Sequence, residues 1–507
     1  MQLKDLLKGL PDYKIQGSLD KEIIQITNHT NQVCRGTLFI CIPGLKVDGH
    51  SFSSAAIAKG AEAIVAERDL DIDCTKILVK DAREAQALLS HTFNGNPSDQ
   101  IEIIGVTGTN GKTTTTYFIE SILDEFGLNP GRIGTINYCY QNNIFPSRQT
   151  TPDSIYLNKM LAEMVKAGTK SVVMEVSSHG LSQKRVDACN FDVAVLTNVT
   201  HDHFDYHSNI EHYLQAKVKL FEQLAKGSKN APKFGVINVD DPNHSYFMQR
   251  CNALIITYGI QNKADVRAEN IDLKSDGCSF DLVVGPYIIH FSLQIPGLFN
   301  IYNALASIAY AWGRGFDLGR VKTAVEKVSL VPGRCERINE GQEFEVIVDF
   351  AHNPDGLRSI LTYSPKKKDT KRIVVFGCEG GKDQTKRKVM GEIAANLSDF
   401  AIITMDNHYA ENPLEVAQQI EDGFLKYGKA NGKDYIINLD RNEAIKTAIS
   451  IAQAGDQVII AGKGHESTQT IYDQIRPFCD HTVAACILQE RCGIPVTQIN
   501  SEKGVYL

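Results

Sequence analysis

Nowhere in the 507 residues is there an apolar run long enough to cross a bilayer, so a membrane-inserted protein is not expected. The opening residues MQLKDLLKGL carry Asp5 and no continuous apolar core, which does not read as a secretory leader. A basic excess is also missing: 53 Lys and Arg face 60 Asp and Glu, a formal net charge of −7 at pH 7. Without a broad positive surface no nucleic-acid partner is expected, although a local basic cleft for a small anion is compatible with this balance. The 12 cysteines are dispersed rather than paired at metal-ligand spacing. That usage fits a reducing cytoplasm and small core residues better than a disulfide framework. Neither a tandem repeat nor a disordered tract interrupts the chain.

What is present is α/β punctuation over a length that requires roughly two to four domains. Up to residue 97, apolar segments such as GTLFICIPG and AEAIVAE alternate with polar turns, the pattern of a small α/β unit. From Ile101, IEIIGV reads as a buried strand, a glycine loop follows, and Phe118, Ile119, Ile122, Leu123 and Phe126 recur at helical spacing. SVVMEVSSH, DVAVLTNVTHDH, KFGVINVDD and ALIITYGI repeat the theme of apolar bodies with polar carboxyl ends, as in an open, mostly parallel sheet. Residues 263–295 look like a β-rich edge or insertion, and LFNIYNALASIAYAWGRG reads as a helix closed by glycine. FEVIVDFAHNP, KRIVVFGCEGG, FAIITMDN and GDQVIIAGKGHE give four further strands after a proline-glycine hinge placed just before Gly333.

The loop Gly108-Thr109-Asn110-Gly111-Lys112-Thr113-Thr114 satisfies the short form GxxGKT between a strand and an amphipathic helix. Small residues let backbone N–H groups converge on phosphates at a helix N-terminus. Lys112 then reaches the outer phosphates and Thr113 offers its hydroxyl to Mg²⁺. Glu175 closes an apolar strand where a hydrophobe would be less costly, and His203 leaves the neighbouring strand; together they suggest a metal site beside the loop. An ordinary strand end and a surface histidine are the plain alternatives for each alone.

The series GTNGKTT, TTP, MEVSSHGL, DHFDYH, AKVKLF, GLFNIYN, PGRCE, DFAHNPD and GKGHE resembles the ATP-dependent Mur ligases across nearly the whole chain. Within that family it is most similar to the members that extend UDP-N-acetylmuramoyl-L-alanyl-D-glutamate by one amino acid. The resemblance implies three α/β domains: an N-terminal substrate domain (1–97), a central P-loop ATPase-like domain with a mostly parallel sheet (98–332), and a Rossmann-like amino-acid domain (333–507). It implies an acyl phosphate made from ATP and a carboxylate, and an amine that displaces phosphate. ATP and Mg²⁺ are the implied cofactors, small molecules the only partners, and a cytoplasmic monomer the expected state.

Residue by residue, the resemblance makes Lys112, Thr113, Glu175 and His203 the phosphate and metal residues, and Lys217 a carbamate-bearing lysine that supports a second Mg²⁺. Asn300 and Asn303 take the adenine side; Arg334, Asp349 and His352 close onto the nucleotide. Thr150, Thr151, Ser177, Gln183 and Arg185 hold the muramoyl-dipeptide, with Thr30 at the uridine end. There the chain departs from the family: His29-Thr30-Asn31 stands where Asp-Ser-Arg is common. Lys382, Asp406, Asn407, Tyr409, Gly462 and Glu466 fall on the amino-acid side. Tyr409 replaces the arginine of members that add diaminopimelate, and Lys382 replaces an arginine for the α-carboxylate. Asp406 and Glu466, with Tyr409 in place of that clamping arginine, favour a distal cation such as lysine; diaminopimelate or another amino acid remains open. Rival readings are a paralogue joining other substrates in specialised metabolism, a folyl-polyglutamate-type ligase, and an inactive nucleotide-binding partner.

Overall fold

The computed structural model describes residues 1–44, 47–225 and 232–494, and three large sheets organise them. The first has five strands, in the order Lys14–Gln16, Thr75–Leu78, Ala61–Ala66, Thr37–Ile40 and Gln25–Thr27. All neighbours are parallel except the first pair. Thr37–Ile40 is buried at every position because apolar clusters lie on both faces of the sheet. The helix Ala82–Phe93, capped by Asp81, packs on Ser154–Lys166 of the central unit. Gln86 Nε2 donates to Ser154 Oγ at 2.9 Å, and Lys184 pairs with Asp81 at 3.0 Å across the same junction.

The central sheet has eleven strands. Its middle is parallel, running through Gly131–Ile133, Ser171–Glu175, Glu102–Thr107, Val193–Leu196, Phe234–Asn238 and Leu254–Gly259. Successive residues of these strands serve opposite cores. Ile104 and Val106 meet the helices Lys112–Glu125 and Leu298–Gly313 on one face, while Ile103 and Val172 meet Ser154–Lys166 and Ile210–Glu222 on the other. Two covered faces demand near-continuous apolar runs, which is what makes these strands readable in sequence. Residues 266–293 form an antiparallel meander on one edge, the β-rich segment expected there. The helix Leu298–Gly313 ends just before Gly315, at φ +70°.

The third sheet orders Glu336–Ile338, Glu345–Asp349, Gln457–Ala461, Arg372–Phe376, Phe400–Ile403 and Tyr435–Ile437. The four expected strands are contiguous and parallel. The two edges, three residues each, are too short to show a period. The three-unit α/β organisation expected from sequence is thus the one observed. The carboxyl ends of the central strands and of the third sheet face one another across a cleft of about 580 Å³. Gly333 enters the third sheet's unit at φ +64°, its carbonyl accepting from Phe350 N at 2.9 Å. A Cβ there would lie 2.1 Å from His465 N, so the linker is pinned to the domain it leads into.

Candidate active site

The phosphate loop is shaped by two glycines. Gly108 (φ +152°) and Gly111 (φ +85°) leave the loop close against the neighbouring strand exit and helix: a Cβ would sit 1.9 Å from Thr197 Oγ1 and 2.3 Å from Asn303 Oδ1 respectively. Thr109 N donates to Asn198 O at 2.8 Å, and Asn110 N to Asn198 Oδ1 at 2.9 Å. The helix Lys112–Glu125 then begins at the cleft with its N-terminal amides. Lys112 Nζ folds back onto Gly108 O (3.0 Å) and Thr109 O (2.8 Å). Burial pushes its pKa down, and the nearby Glu175 and Asp202 act against that push.

Glu175 is 1% exposed. Thr135 fixes it through backbone N–H (2.8 Å) and hydroxyl (2.9 Å) donations, one to each carboxylate oxygen. His203 adopts φ +60° at the next strand exit, and burial lowers its pKa to about 3. It therefore offers a neutral ring to the cleft. Lys217 is 1% exposed, lies 4.3 Å from the Tyr213 ring centre and donates to Gly108 O at 2.7 Å. Burial first, then repulsion from Lys112, holds its amine well below the usual lysine range.

Among the described residues, no group of three or more His, Cys, Asp and Glu side chains is gathered to hold a metal. Lys217, a bare amine bonded to a carbonyl, is not a ligand in this form. Thr113, Glu175 and His203 do all line the cleft. Such a sparse donor set fits Mg²⁺, which takes one or two protein oxygens and completes its shell with phosphate oxygens and water.

Asn303 lines the cleft, whereas Asn300 stands behind it, accepting from Asn303 Nδ2 at 3.2 Å and donating to Pro296 O at 2.7 Å. Asn300 thus supports Asn303 from behind. Arg334 places Nη2 3.2 Å from Thr113 Oγ1 and its guanidinium 4.4 Å from the Phe350 ring centre. Asp349 accepts from Cys335 N and Ala351 N at 2.6 and 2.8 Å, which aims the strand end at the cleft. His352 lies 3.5 Å from Asp202.

Asn110 and Asn353 exchange reciprocal amide bonds at 3.3 and 3.0 Å. Asn353 Nδ2 also donates to Asp202 at 3.0 Å, and His201 lies 3.2 Å from Asp383. Sequence reasoning did not single out Asp202, Asn353 or Thr135. Asp202 and Asn353 lie inside quoted motifs, but their partners stand far away along the chain.

Thr150 and Ser177 line the cleft. Thr151 is fully buried and donates to Glu175 O at 2.9 Å. Ser177 caps the short helix Ser178–Ser182. Arg185 forks onto Gln183 Oε1 (3.1 and 2.7 Å) and reaches Thr151 O at 2.7 Å. Thr30 lies on a turn of the N-terminal sheet unit, its carbonyl accepting from Lys59 Nζ at 3.0 Å.

At the far end of the cleft stand Asp406, Gly462 and Glu466. The two acids are not free: Lys463, fully buried, lies 2.6 Å from Glu466 and 3.8 Å from Asp406. Asn407 Nδ2 donates to Glu466 at 3.0 Å. An internal ammonium therefore already lies between the two acids expected on the amino-acid side. Lys382 is exposed on the adjoining loop, and Tyr409, at φ +50°, is 37% exposed.

A phosphate loop facing two opposed rows of strand ends is the arrangement of a nucleotide-binding α/β enzyme. Known proteins make this specific. Three family models match: the Mur ligase family catalytic domain at residues 22–93, the Mur ligase middle domain at 106–311, and the Mur ligase glutamate ligase domain at 333–464. UDP-N-acetylmuramoyl-L-alanyl-D-glutamate–2,6-diaminopimelate ligase from Geobacillus thermodenitrificans is 42% identical over 97% of this chain and 100% of its own. The Bacillus cereus enzyme of that name is 39% identical over 96% and 98%. A solved structure carrying the same enzyme name superposes with a TM-score of 0.68 at 29% identity, covering 96% and 99%. A Mycobacterium tuberculosis folylpolyglutamate synthase shares the fold at TM-score 0.60 and 17% identity, over 75% of this chain and 92% of that one. The chain belongs to the Mur ligase family, and it is an ATP-dependent acid–amino-acid ligase.

Proposed function

We propose that the chain extends UDP-N-acetylmuramoyl-L-alanyl-D-glutamate by one diamino acid, in the making of peptidoglycan precursors. The carrying observation is the shared cleft, with Lys112, Thr113 and Glu175 at one end and Asp406, Gly462 and Glu466 at the other. The relatives' names supply the acceptor and the diamino class of substrate.

A carboxylate is a poor electrophile, so the acceptor's carboxylate oxygen first attacks the γ-phosphorus of ATP and ADP leaves. The amine of the incoming amino acid then attacks the acyl carbon, and phosphate departs. Lys112 turns from the loop carbonyls toward the developing phosphoryl charge, and Arg334 adds a second cation from the opposite wall. When bound, Mg²⁺ supplies Lewis-acid charge neutralisation between anionic ATP and anionic acceptor; Thr113, Glu175 and His203 are the residues that would hold it. Lys217, buried and held toward its neutral amine form, is suited to accept CO₂ as a carbamate. Arg185 and Gln183 serve the dipeptide's carboxylates. Closure through Asn110 and Asn353 excludes water that would hydrolyse the acyl phosphate.

A second reading, a paralogue with another acceptor, is favoured by one observation. His29, Thr30 and Asn31 stand where Asp-Ser-Arg is common in the family, on a turn held by Thr27 Oγ1, which donates to Gln32 Oε1 at 2.8 Å and accepts from His29 N at 3.1 Å. Purified protein with ATP, Mg²⁺ and the UDP-linked dipeptide, supplied with each amino acid in turn, should release ADP and yield one tripeptide mass. ADP release only with an acceptor lacking UDP would replace this reading by the second.

A further inference from the structure

We infer that Glu379 is a specificity-determining residue which, with Tyr409, makes the far end of the cleft select a side chain tipped with an ammonium group alone. The inference rests on the ligase reading above and concerns which diamino acid is taken.

Of the three carboxylates at this end, only two share an ammonium. Glu379, Asp406 and Glu466 all line the cleft, and Lys463 is committed to the last two. The two nearby guanidiniums are engaged elsewhere, Lys382 is exposed on the adjoining loop, and buried Lys386 lies toward Cys378 and Asp202. Arg387, fully buried, forks onto Glu411 with both contacts at 2.7 Å, and Arg441 forks onto Asp480, again at 2.7 Å twice. Among the described residues Glu379 has no ion-pair partner; its Oε1 accepts from Tyr409 Oη at 3.4 Å. The surroundings register the surplus. Burial first, then Glu379, Glu466 and Asp406, push the Tyr409 hydroxyl's pKa up. Burial raises that of Glu466, with Asp406 and Glu379 adding to it against Lys463.

A ligand ammonium at this place gains an unshared carboxylate and a phenolic oxygen that can accept once its proton turns away. A ligand carboxylate at the same place meets Glu379 across a half-buried wall with no guanidinium to receive it. The tip selected is therefore that of lysine or ornithine, and the zwitterionic tip of meso-diaminopimelate is disfavoured. The rival use of these acids is to hold the α-ammonium common to all amino acids, which would give no selection.

The full-length protein would be assayed by ADP release and product mass with ATP, Mg²⁺ and the UDP-linked dipeptide. Separate reactions receive L-lysine, L-ornithine, meso-diaminopimelate and L-alanine. The expected result is a kcat/KM for lysine or ornithine at least tenfold above that for meso-diaminopimelate. Glu379→Gln should lower it at least tenfold, mostly through the amino-acid KM, with the ATP KM unchanged. Combining Glu379→Gln with Tyr409→Arg should raise use of meso-diaminopimelate. Preference of the unaltered protein for meso-diaminopimelate would overturn the inference, as would equal losses for lysine and alanine in Glu379→Gln. No ADP release with any amino acid would remove the ligase reading itself, and this inference with it.

Discussion

Gly108 packs so closely that the atoms facing its α-carbon include Asn198 backbone, 2.9 Å from where a Cβ would stand. Backbone cannot rotate away as a side chain can, so Gly108→Ala must push the phosphate loop off the strand exit at Asn198. Affinity for a non-hydrolysable ATP analogue should fall at least tenfold, about 1.4 kcal/mol, measured by titration calorimetry. Unchanged affinity would show that the loop has room this geometry denies. Residues of this kind were legible in sequence because their geometry is local: Gly108, Gly111, Lys112 and Thr113 declare themselves within six positions. Lys463 was not legible. A lysine in Gly-Lys-Gly-His-Glu reads as solvated, and only its burial against Asp406 and Glu466 shows otherwise. Glu379 was missed for the same reason, since nothing near it in the chain announces Tyr409, 30 residues on.

Helices Thr385–Leu397 and Pro413–Lys426 cross at glycines. A Cβ on Gly391 would sit 2.0 Å from Ile420 O and 3.2 Å from Gly423 Cα. The helices touch backbone to backbone, and no rotamer relieves an added methyl. Gly391→Ala should cost about 3 kcal/mol by overpacking, visible as a lower melting temperature of the C-terminal unit. Because Glu411 bonds both Arg387 and Gly381 N, spreading this pair also shifts the loop that carries Lys382. The amino-acid KM should rise while the ATP KM holds. A variant that melts like the parent would mean the crossing is looser than its backbone contacts require. Elements with two covered faces, such as Val193–Leu196, were readable as apolar runs. Short edges such as Glu336–Ile338 and Tyr435–Ile437 carry no such signature, and their pairing comes from the sheet they join.

Across the whole molecule, the central and C-terminal units are held together by a small polar set in which Asn353 is fully buried. Asn353→Asp keeps the cap on the helix Pro354–Leu361, because its Oδ1 accepts from Gly356 N at 2.8 Å. It also sets a carboxylate against Asp202 across the junction. Like charges at this separation oppose docking, so small-angle scattering should report a larger radius of gyration than for the parent. Turnover should fall at least tenfold with ATP affinity kept within a few-fold. An unchanged scattering curve together with unchanged turnover would show that this contact does not govern the docked form.

The seating of Gly333 beside His465 fixes what such a swing carries with it. Rotation has to begin upstream of Gly333, so the stretch Gly333–Cys335 and the Gly462–Glu466 loop travel as one block. The pocket for the incoming amino acid keeps its contour while the gap to the phosphate loop widens or narrows. Capture of that substrate and its reaction are thereby made separable events: the first depends on the contour, the second on the gap.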